Sequence, residues 1–168
     1  VDEIGDMLYT VETGAGLTNR QKKFYDTTKL RDTAIVTLFL GTGIRISELV
    51  GLDNDSFDFE DNSFLVTRKG GNQAILFFSD EVKDALVKYL ELRDTFKLPE
   101  TEKALWISIQ GKRMGVRSVE NLVKKYARIS APLKKISPHK LRSTYGTHLY
   151  EATKDISVVA SIPFGSAP

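Results

Sequence analysis

The stretch that decides the fold reads TGIRISEL at residues 42–49, and a second motif, SPHKLR, follows at residues 137–142. Each string places one arginine, Arg45 or Arg142, at the start of a predicted helix beside residues that turn or cap the backbone. Because a planar guanidinium donates paired hydrogen bonds to an oxyanion, two arginines from distant helices can clamp a single phosphate. His139 lies one helical turn before Arg142 and adds a donor on the same face. The combination predicts a phosphoryl-transfer site.

The composition excludes several other classes of site. The chain has 168 residues, no cysteine and two histidines, His139 and His148. Disulfides and thiolate zinc sites are therefore excluded, and a histidine-rich metal centre is disfavoured, so we expect no metal or other cofactor. No segment approaches the ~20 apolar residues of a membrane span, and the N-terminus lacks a signal-peptide pattern. We expect a one-domain cytoplasmic protein without a membrane partner.

Charge is distributed very unevenly along the chain. Residues 1–102 hold 12 Lys/Arg against 19 Asp/Glu, whereas residues 103–142 hold 11 Lys/Arg against the single acid Glu120. A basic block inside an otherwise acidic chain is the electrostatic footprint of a polyanion-binding protein. The alternative is a solvated lysine-rich surface. The pattern says where a nucleic acid would bind, and not what happens to it.

Hydrophobic periodicity and turn residues predict a mainly helical domain with a small antiparallel β-sheet, an α+β fold. Lys69-Gly70-Gly71-Asn72 separates two β-rich runs at residues 63–68 and 73–78, which is a hairpin signal. Glycines at residues 41 and 43 can end the long helix before Arg45. Residues 13–21 are predicted as a loop, and residues 105–108 as a short extended run. Helices are predicted at residues 2–11, from 26 or 27 to 40, and at 118–129, 138–151 and 156–162. Two further helices are predicted to begin at about residue 45 and at residue 79 or 80.

These motifs resemble the catalytic domain of the tyrosine recombinases, the phage-integrase family. The resemblance is carried by Thr-Gly-x-Arg-x-x-Glu-Leu at 42–49, by a hairpin lysine 24 residues after Arg45, and by His-x-x-Arg at 139–142. The segment 105–113 and the sequence Thr147-His148-Leu149 are similar to the family pattern as well. Each motif alone is weak, but together they occur in the family's order and spacing over nearly the whole chain. The resemblance implies a tyrosine-recombinase catalytic-domain fold.

Roles in catalysis follow from the resemblance. Arg45 and Arg142 would bind the nonbridging oxygens of the scissile phosphate, where their effect grows as charge accumulates in the transition state. Lys69 would protonate the departing 5′-oxygen, and the neighbouring Arg68 is the competing candidate. His139 would sit beside the phosphate, donating a hydrogen bond or moving a proton.

Supporting roles are implied for a second group of residues. Glu48 would orient neighbouring donors rather than bind DNA, the alternative being an ordinary acid on a helix surface. Other residues would contact phosphates of double-stranded DNA and set register without reading sequence, the alternative being unspecific positive surface. These residues are Thr42, Lys112, Arg113, Arg117, Ser137 and Lys140.

The family's nucleophile has no counterpart in this sequence. It is a tyrosine roughly thirty residues after the second arginine, and counting from Arg142 passes Pro168. Tyr145 and Tyr150 come too early to match it. We therefore expect residues 1–168 to be a catalytic domain without the N-terminal core-binding domain and the C-terminal tyrosine segment, inactive and monomeric alone. A shortened polypeptide and a degenerate gene are both compatible with this pattern.

The complete protein is expected to perform site-specific DNA recombination or integration for a mobile genetic element, as a tetramer on DNA. It would cleave and rejoin strands through a phosphotyrosyl intermediate, which conserves the phosphodiester energy, so that no ATP or metal is needed. Two alternatives stay open, a type IB topoisomerase-like enzyme and a non-catalytic DNA-binding module derived from this fold. A helical domain without a nucleic-acid role would leave the basic block unexplained.

Overall fold

The structure is a computed structural model that describes residues 2–130. The predicted helices at 138–151 and 156–162 lie outside the described residues. So do several residues of the predicted site, namely Ser137, His139, Lys140 and Arg142.

The described chain is mainly helical with one small antiparallel sheet, which confirms the predicted fold class. A 3₁₀ turn at Lys69–Gly71 joins the second and third strands. In chain order the elements are α1 (Asp2–Thr13), α2 (Asn19–Lys22), α3 (Tyr25–Thr42), α4 (Ile46–Val50), β1 (Phe57–Asp58), β2 (Ser63–Thr67), β3 (Gln73–Phe77), α5 (Asp80–Arg93) and α6 (Val116–Ser130).

Helix α3 is the central helix of the core and packs against α1 and α5. Its consecutive residues Ala34, Ile35 and Val36 are all fully buried, because neighbouring helices cover more than one of its faces. Gly41 allows α5 to come close, since a Cβ there would lie 2.5 Å from a methyl of Val82. Gly43 has φ +66° and ends the helix, as predicted from the glycine pair. Among residues 2–130, no helix combines the length and apolar character needed to cross a bilayer.

The three strands follow in the order β1-β2-β3, each antiparallel to the next. Pairing of Phe64 with Leu76 places both side chains on the buried face. The ring of Phe57 stacks on Phe64 with centroids 5.1 Å apart, so β1 extends the sheet although it has only two residues. The sequence predicted the hairpin correctly and missed β1, because two residues carry no alternating pattern.

The predicted loop at residues 13–21 contains the start of helix α2, so that prediction was wrong at its C-terminal end. Thr18 Oγ1 accepts a hydrogen bond from the backbone N–H of Gln21 at 3.2 Å. The Gln21 side chain accepts one from the Thr18 N–H at 2.9 Å. This reciprocal pair is a capping box, and the Thr-x-x-Gln spacing was its signal in the sequence.

The segment 104–108, which includes the extended run predicted at 105–108, belongs to none of the three strands. Isolated antiparallel bridges pair Ala104 with Asp53 and Ile107 with Arg113, and side chains add further hydrogen bonds. Tyr89 donates from its hydroxyl to the Leu105 carbonyl at 2.7 Å and accepts from the Ile107 N–H at 3.0 Å. Arg93 Nε donates to the first carbonyl of the segment at 2.9 Å. Both residues come from α5, so this helix fixes the path of the chain towards α6.

A buried carboxylate joins α3 to α6. Asp32 is fully buried, receives a hydrogen bond from the Tyr126 hydroxyl at 3.1 Å and pairs with Arg31 Nε at 3.0 Å. Arg31 also donates to the Ile107 carbonyl at 3.0 Å, which ties the network to the extended segment. Burial raises the pKa of Asp32, and the Arg31 charge offsets only part of that effect.

Replacing Asp32 tests this network. Asp32→Ala removes the carboxylate that accepts hydrogen bonds from the Tyr126 hydroxyl and from Arg31 Nε, so the free energy of unfolding should fall by about 1–3 kcal/mol in urea titrations. Asp32→Asn keeps an acceptor oxygen, so its loss should be smaller, below about 1 kcal/mol. Equal losses for the two variants would contradict a role based on hydrogen bonding.

The raised pKa of Asp32 also sets a pH dependence. Its stabilising contribution is fully present below the ordinary value of 3.8 and is lost as pH rises through the higher pKa of the folded state. Asp32→Asn has no such titrating group. The wild type should therefore lose stability relative to this variant as pH rises above 3.8. A gain in stability of the wild type relative to Asp32→Asn over the same pH range would contradict a raised pKa of Asp32.

Candidate phosphate-binding site around helix α4

Helix α4 holds the first candidate residue, Arg45, at its N-cap position. The Arg45 backbone is extended, with φ −79° and ψ 151°, and its N–H donates to Glu48 Oε1 at 3.1 Å. The predicted helix start is thus confirmed, with Arg45 just outside the first turn. The helix has only five residues, so its dipole adds little. Attraction of an anion here would come mainly from the guanidinium.

Glu48 links α4 to the β-hairpin. Only 4% of the residue is exposed, so it is not the ordinary surface acid that the sequence left open. One carboxylate oxygen, Oε1, caps the Arg45 N–H, and the other, Oε2, lies 3.2 Å from Arg68 Nε. The side chain of Arg68 is 18% exposed. Two segments that are twenty residues apart in the sequence therefore meet at one buried carboxylate.

The hairpin turn separates the two candidates for the acid role. Arg68 donates its N–H to the Asn72 carbonyl at 2.6 Å, and its own carbonyl accepts from Gly71 at 3.0 Å. Gly70 has φ +85°, and no atom lies within 4 Å of a Cβ built there, so the tip stands in open space. Lys69 is exposed at this tip, whereas the Arg68 side chain is paired with buried Glu48. Lys69 is the more accessible of the two side chains, and its role as the acid stays a prediction.

Arg113, predicted to contact DNA, braces the far end of α4. Its Nη1 donates to the carbonyls of Val50 and Leu52 at 2.9 and 3.0 Å, and its Nη2 pairs with Asp53. The side chain is still 39% exposed. Much of its hydrogen-bonding capacity is thus used within the protein, and a DNA contact there stays a prediction. The neighbouring Lys112 is exposed.

Thr42, also predicted to contact DNA, lies buried at the end of helix α3. The residue is 3% exposed, and its hydroxyl donates to the Leu38 carbonyl at 2.7 Å within helix α3. Its position at the end of a buried helix explains this, because the last turn of α3 is covered by the core. In this arrangement the Thr42 side chain bonds to the end of its own helix and does not reach the protein surface.

Helix α6 carries a basic stripe, of which the sequence analysis singled out only Arg117 as a DNA contact. Arg117, Lys124 and Arg128 are exposed, and their spacing of seven and then four residues places them on one face. The opposite face is buried. Lys125, by contrast, lies with Nζ 4.5 Å from the centre of the Tyr126 ring, and burial lowers its pKa. The helical spacing was legible in the sequence, whereas the separate position of Lys125 was not. The buried face consists of Val119, Leu122, Val123, Tyr126 and Ala127.

Helix α4 connects several of the candidate residues to the rest of the fold. It packs against β2 and against α6, and Glu48 and Arg113 tie its two ends to the hairpin and to the 112–113 loop. A groove of about 570 Å³ between α1, α3 and α5 has none of the predicted site residues in its walls.

The sequence model of the phage integrase family matches residues 10–163. The chain belongs to the phage integrase family. Among similar proteins is the tyrosine recombinase XerC of Thermodesulfovibrio yellowstonii, 38% identical over 136 residues, which are 79% of this chain and 45% of that protein. The tyrosine recombinase XerS of Streptococcus pneumoniae strain CGSP14 is 36% identical over 156 residues, 90% of this chain and 43% of that protein. This integrase-family chain thus spans less than half the length of these curated relatives.

Solved structures share the fold. The crystal structure of XerA recombinase matches 99% of this chain and 55% of its own, with a TM-score of 0.82 at 24% sequence identity. XerH recombinase bound to a palindromic difH substrate matches 99% of this chain and 45% of its own, with a TM-score of 0.77 at 18% identity. The integrase-family fold is therefore retained even where most residues differ.

Proposed function

We propose that this chain forms the phosphate-binding part of a site-specific DNA recombinase that cleaves and rejoins strands through a phosphotyrosyl link. Family membership supports the class of reaction. The observation that carries the residue assignment is the buried Glu48, which joins the Arg45 backbone to the base of the Lys69 turn. Arg45 would bind the scissile phosphate together with Arg142.

In this proposal the described residues serve charge stabilisation and proton transfer. The tyrosine oxygen attacks phosphorus, the phosphorus–O5′ bond breaks, and the Lys69 ammonium gives its proton to O5′. The tyrosine proton passes to His139. Arg45 and Arg142 stabilise the extra negative charge on the nonbridging oxygens as the pentavalent transition state forms. A later attack by a 5′-hydroxyl reverses these steps and reseals a strand.

Double-stranded DNA is the proposed partner. Relatives of the same fold include XerH bound to difH and the Tn1549 transposon integrase in complex with circular intermediate DNA. On this chain, exposed Lys112 and the basic stripe of α6 supply cations for phosphates. These contacts would orient the duplex over α4 without reading its sequence. In the complete protein we propose a tetramer on DNA.

Two-site plasmids test the proposed reaction in a longer form of the protein that carries a nucleophilic tyrosine. We expect strand exchange between the two sites, with a covalent protein–DNA intermediate. Relaxation of supercoils without exchange would point to a type IB topoisomerase-like enzyme instead. DNA binding without any covalent intermediate would point to a non-catalytic module. Either of these results would overturn the proposed function.

A further inference from the structure

We propose that Arg68 is a positioning residue for Lys69 and acts through Glu48. This inference rests on the proposed function, because it assumes that Lys69 donates the proton to O5′. The sequence presented Arg68 as an alternative proton donor. The geometry points to a different role, in which the arginine fixes the base of the turn and the lysine carries the proton.

The first step of the argument is the burial of the pair. Glu48 is almost fully buried, and Arg68 Nε approaches its Oε2 to 3.2 Å. A carboxylate withdrawn from water needs a cation or donors nearby, since leaving it alone is costly. The charge of Glu48 therefore holds the Arg68 side chain against α4.

The second step is the contrast between the base and the tip of the turn. At the base, Arg68 exchanges backbone hydrogen bonds with Asn72 and Gly71. At the tip, Gly70 and Gly71 have positive φ and open space around them. Glycines and a long lysine stem allow many conformations, so the anchoring of the base limits where the Lys69 ammonium can lie.

The third step is chemical. A guanidinium stays protonated at all ordinary pH values, so Arg68 is a poor proton donor. A lysine ammonium releases its proton more readily and can approach O5′ on its flexible stem. Proton transfer requires hydrogen-bonding distance, and a displacement of about 1 Å can cost about 10²-fold in rate. The turn is anchored to the same carboxylate that caps Arg45. This shared anchor would fix the position of the Lys69 ammonium relative to Arg45.

The test uses two DNA substrates in the tyrosine-bearing form of the protein. In one, O5′ of the scissile phosphate is the normal oxygen, and in the other it is replaced by sulfur. A thiolate leaves without prior protonation, so the sulfur substrate does not need the acid. We expect Arg68→Ala to cleave the oxygen substrate about 10- to 100-fold more slowly and the sulfur substrate at nearly the wild-type rate. Arg68→Lys, which keeps the charge, should recover part of the oxygen-substrate rate.

Two comparison variants complete the test. Lys69→Ala should show the same pattern with a larger defect, and Lys88→Ala, an exposed lysine on α5, should cleave both substrates like the wild type. Equal slowing of Arg68→Ala on both substrates would overturn the inference, since it would reveal a role in folding or in DNA binding. If Lys69→Ala itself were not restored by sulfur, the acid assignment in the proposed function would fail instead.

A spectroscopic measurement on the 168-residue chain gives an independent readout. The chain has no cysteine, so Lys69→Cys offers a unique site for a nitroxide label at the tip of the turn. We expect Arg68→Gln to narrow the electron paramagnetic resonance spectrum of this label, because the turn is released from Glu48. The same label with Lys88→Ala serves as the control. An unchanged spectrum in a folded Arg68→Gln protein, verified by circular dichroism, would overturn the inference.

Discussion

In the tyrosine-bearing form of the protein, Arg45→Ala should slow single-turnover DNA cleavage by about 10²–10³-fold, the usual cost of losing one preorganised donor at a transition-state oxyanion. The fold should survive, because the cap at α4 uses the backbone N–H of Arg45 and leaves it in place. Cleavage of a nicked suicide substrate, followed as covalent protein–DNA complex on denaturing gels, measures the rate. Binding of the uncleaved duplex should weaken far less than the rate.

Two further variants sharpen this result. Arg45→Lys keeps the charge but loses the planar fork, so it should recover only a small part of the rate. Lys88→Ala removes an exposed cation on α5 and should leave the rate unchanged. Cleavage by Arg45→Ala within about threefold of wild type would contradict a phosphate contact, since even one lost donor costs more.

The second large effect is the salt dependence of DNA binding by the 168-residue chain. Six or more phosphate contacts would reduce the affinity by about 10³-fold or more between 50 and 200 mM salt. Fluorescence anisotropy with duplexes of different sequence should give nearly the same affinity for each, because phosphate contacts carry no base information. A log–log slope of about −0.9 is expected for each phosphate neutralised.

Single substitutions locate the surface that binds the duplex. Lys112→Ala, Arg117→Ala and Lys124→Ala should each weaken binding on all sequences and reduce the slope by about 1. Lys88→Ala is the matched control and should change neither quantity. Absence of binding at low salt, or an affinity that does not respond to salt, would remove the argument drawn from the basic block.

Local signals predicted most of the fold. Gly43 ends α3 with a positive φ, and the Lys69-Gly70-Gly71-Asn72 turn joins two strands, because both features depend on residues that are neighbours in the sequence. Ser79 caps α5 through a hydrogen bond from the Val82 N–H, which agrees with the predicted helix start at residue 79 or 80. The short β1 and α2 were missed, since neither is long enough to show a period.

The sequence offered candidate site residues, but it did not predict their contacts. The motif at 42–49 singled out Glu48, yet nothing in the sequence paired it with Arg68, because that contact depends on how β2 packs against α4. The same is true of Arg113, whose bonds to the Val50 and Leu52 carbonyls arise from tertiary packing. The burial of Thr42 could not be predicted for a related reason, since its neighbours decide how the end of α3 is covered. A DNA contact by Thr42 stays a prediction.

The central claim is that Arg45 and Arg142 hold one scissile phosphate between them. A crystal structure of the protein bound to its DNA duplex tests this most directly. We predict that both guanidiniums lie within hydrogen-bonding distance of nonbridging oxygens of the same phosphate, with the Lys69 ammonium beside its O5′. Guanidiniums of Arg45 and Arg142 on opposite faces of the domain, or on different phosphates, would contradict the account.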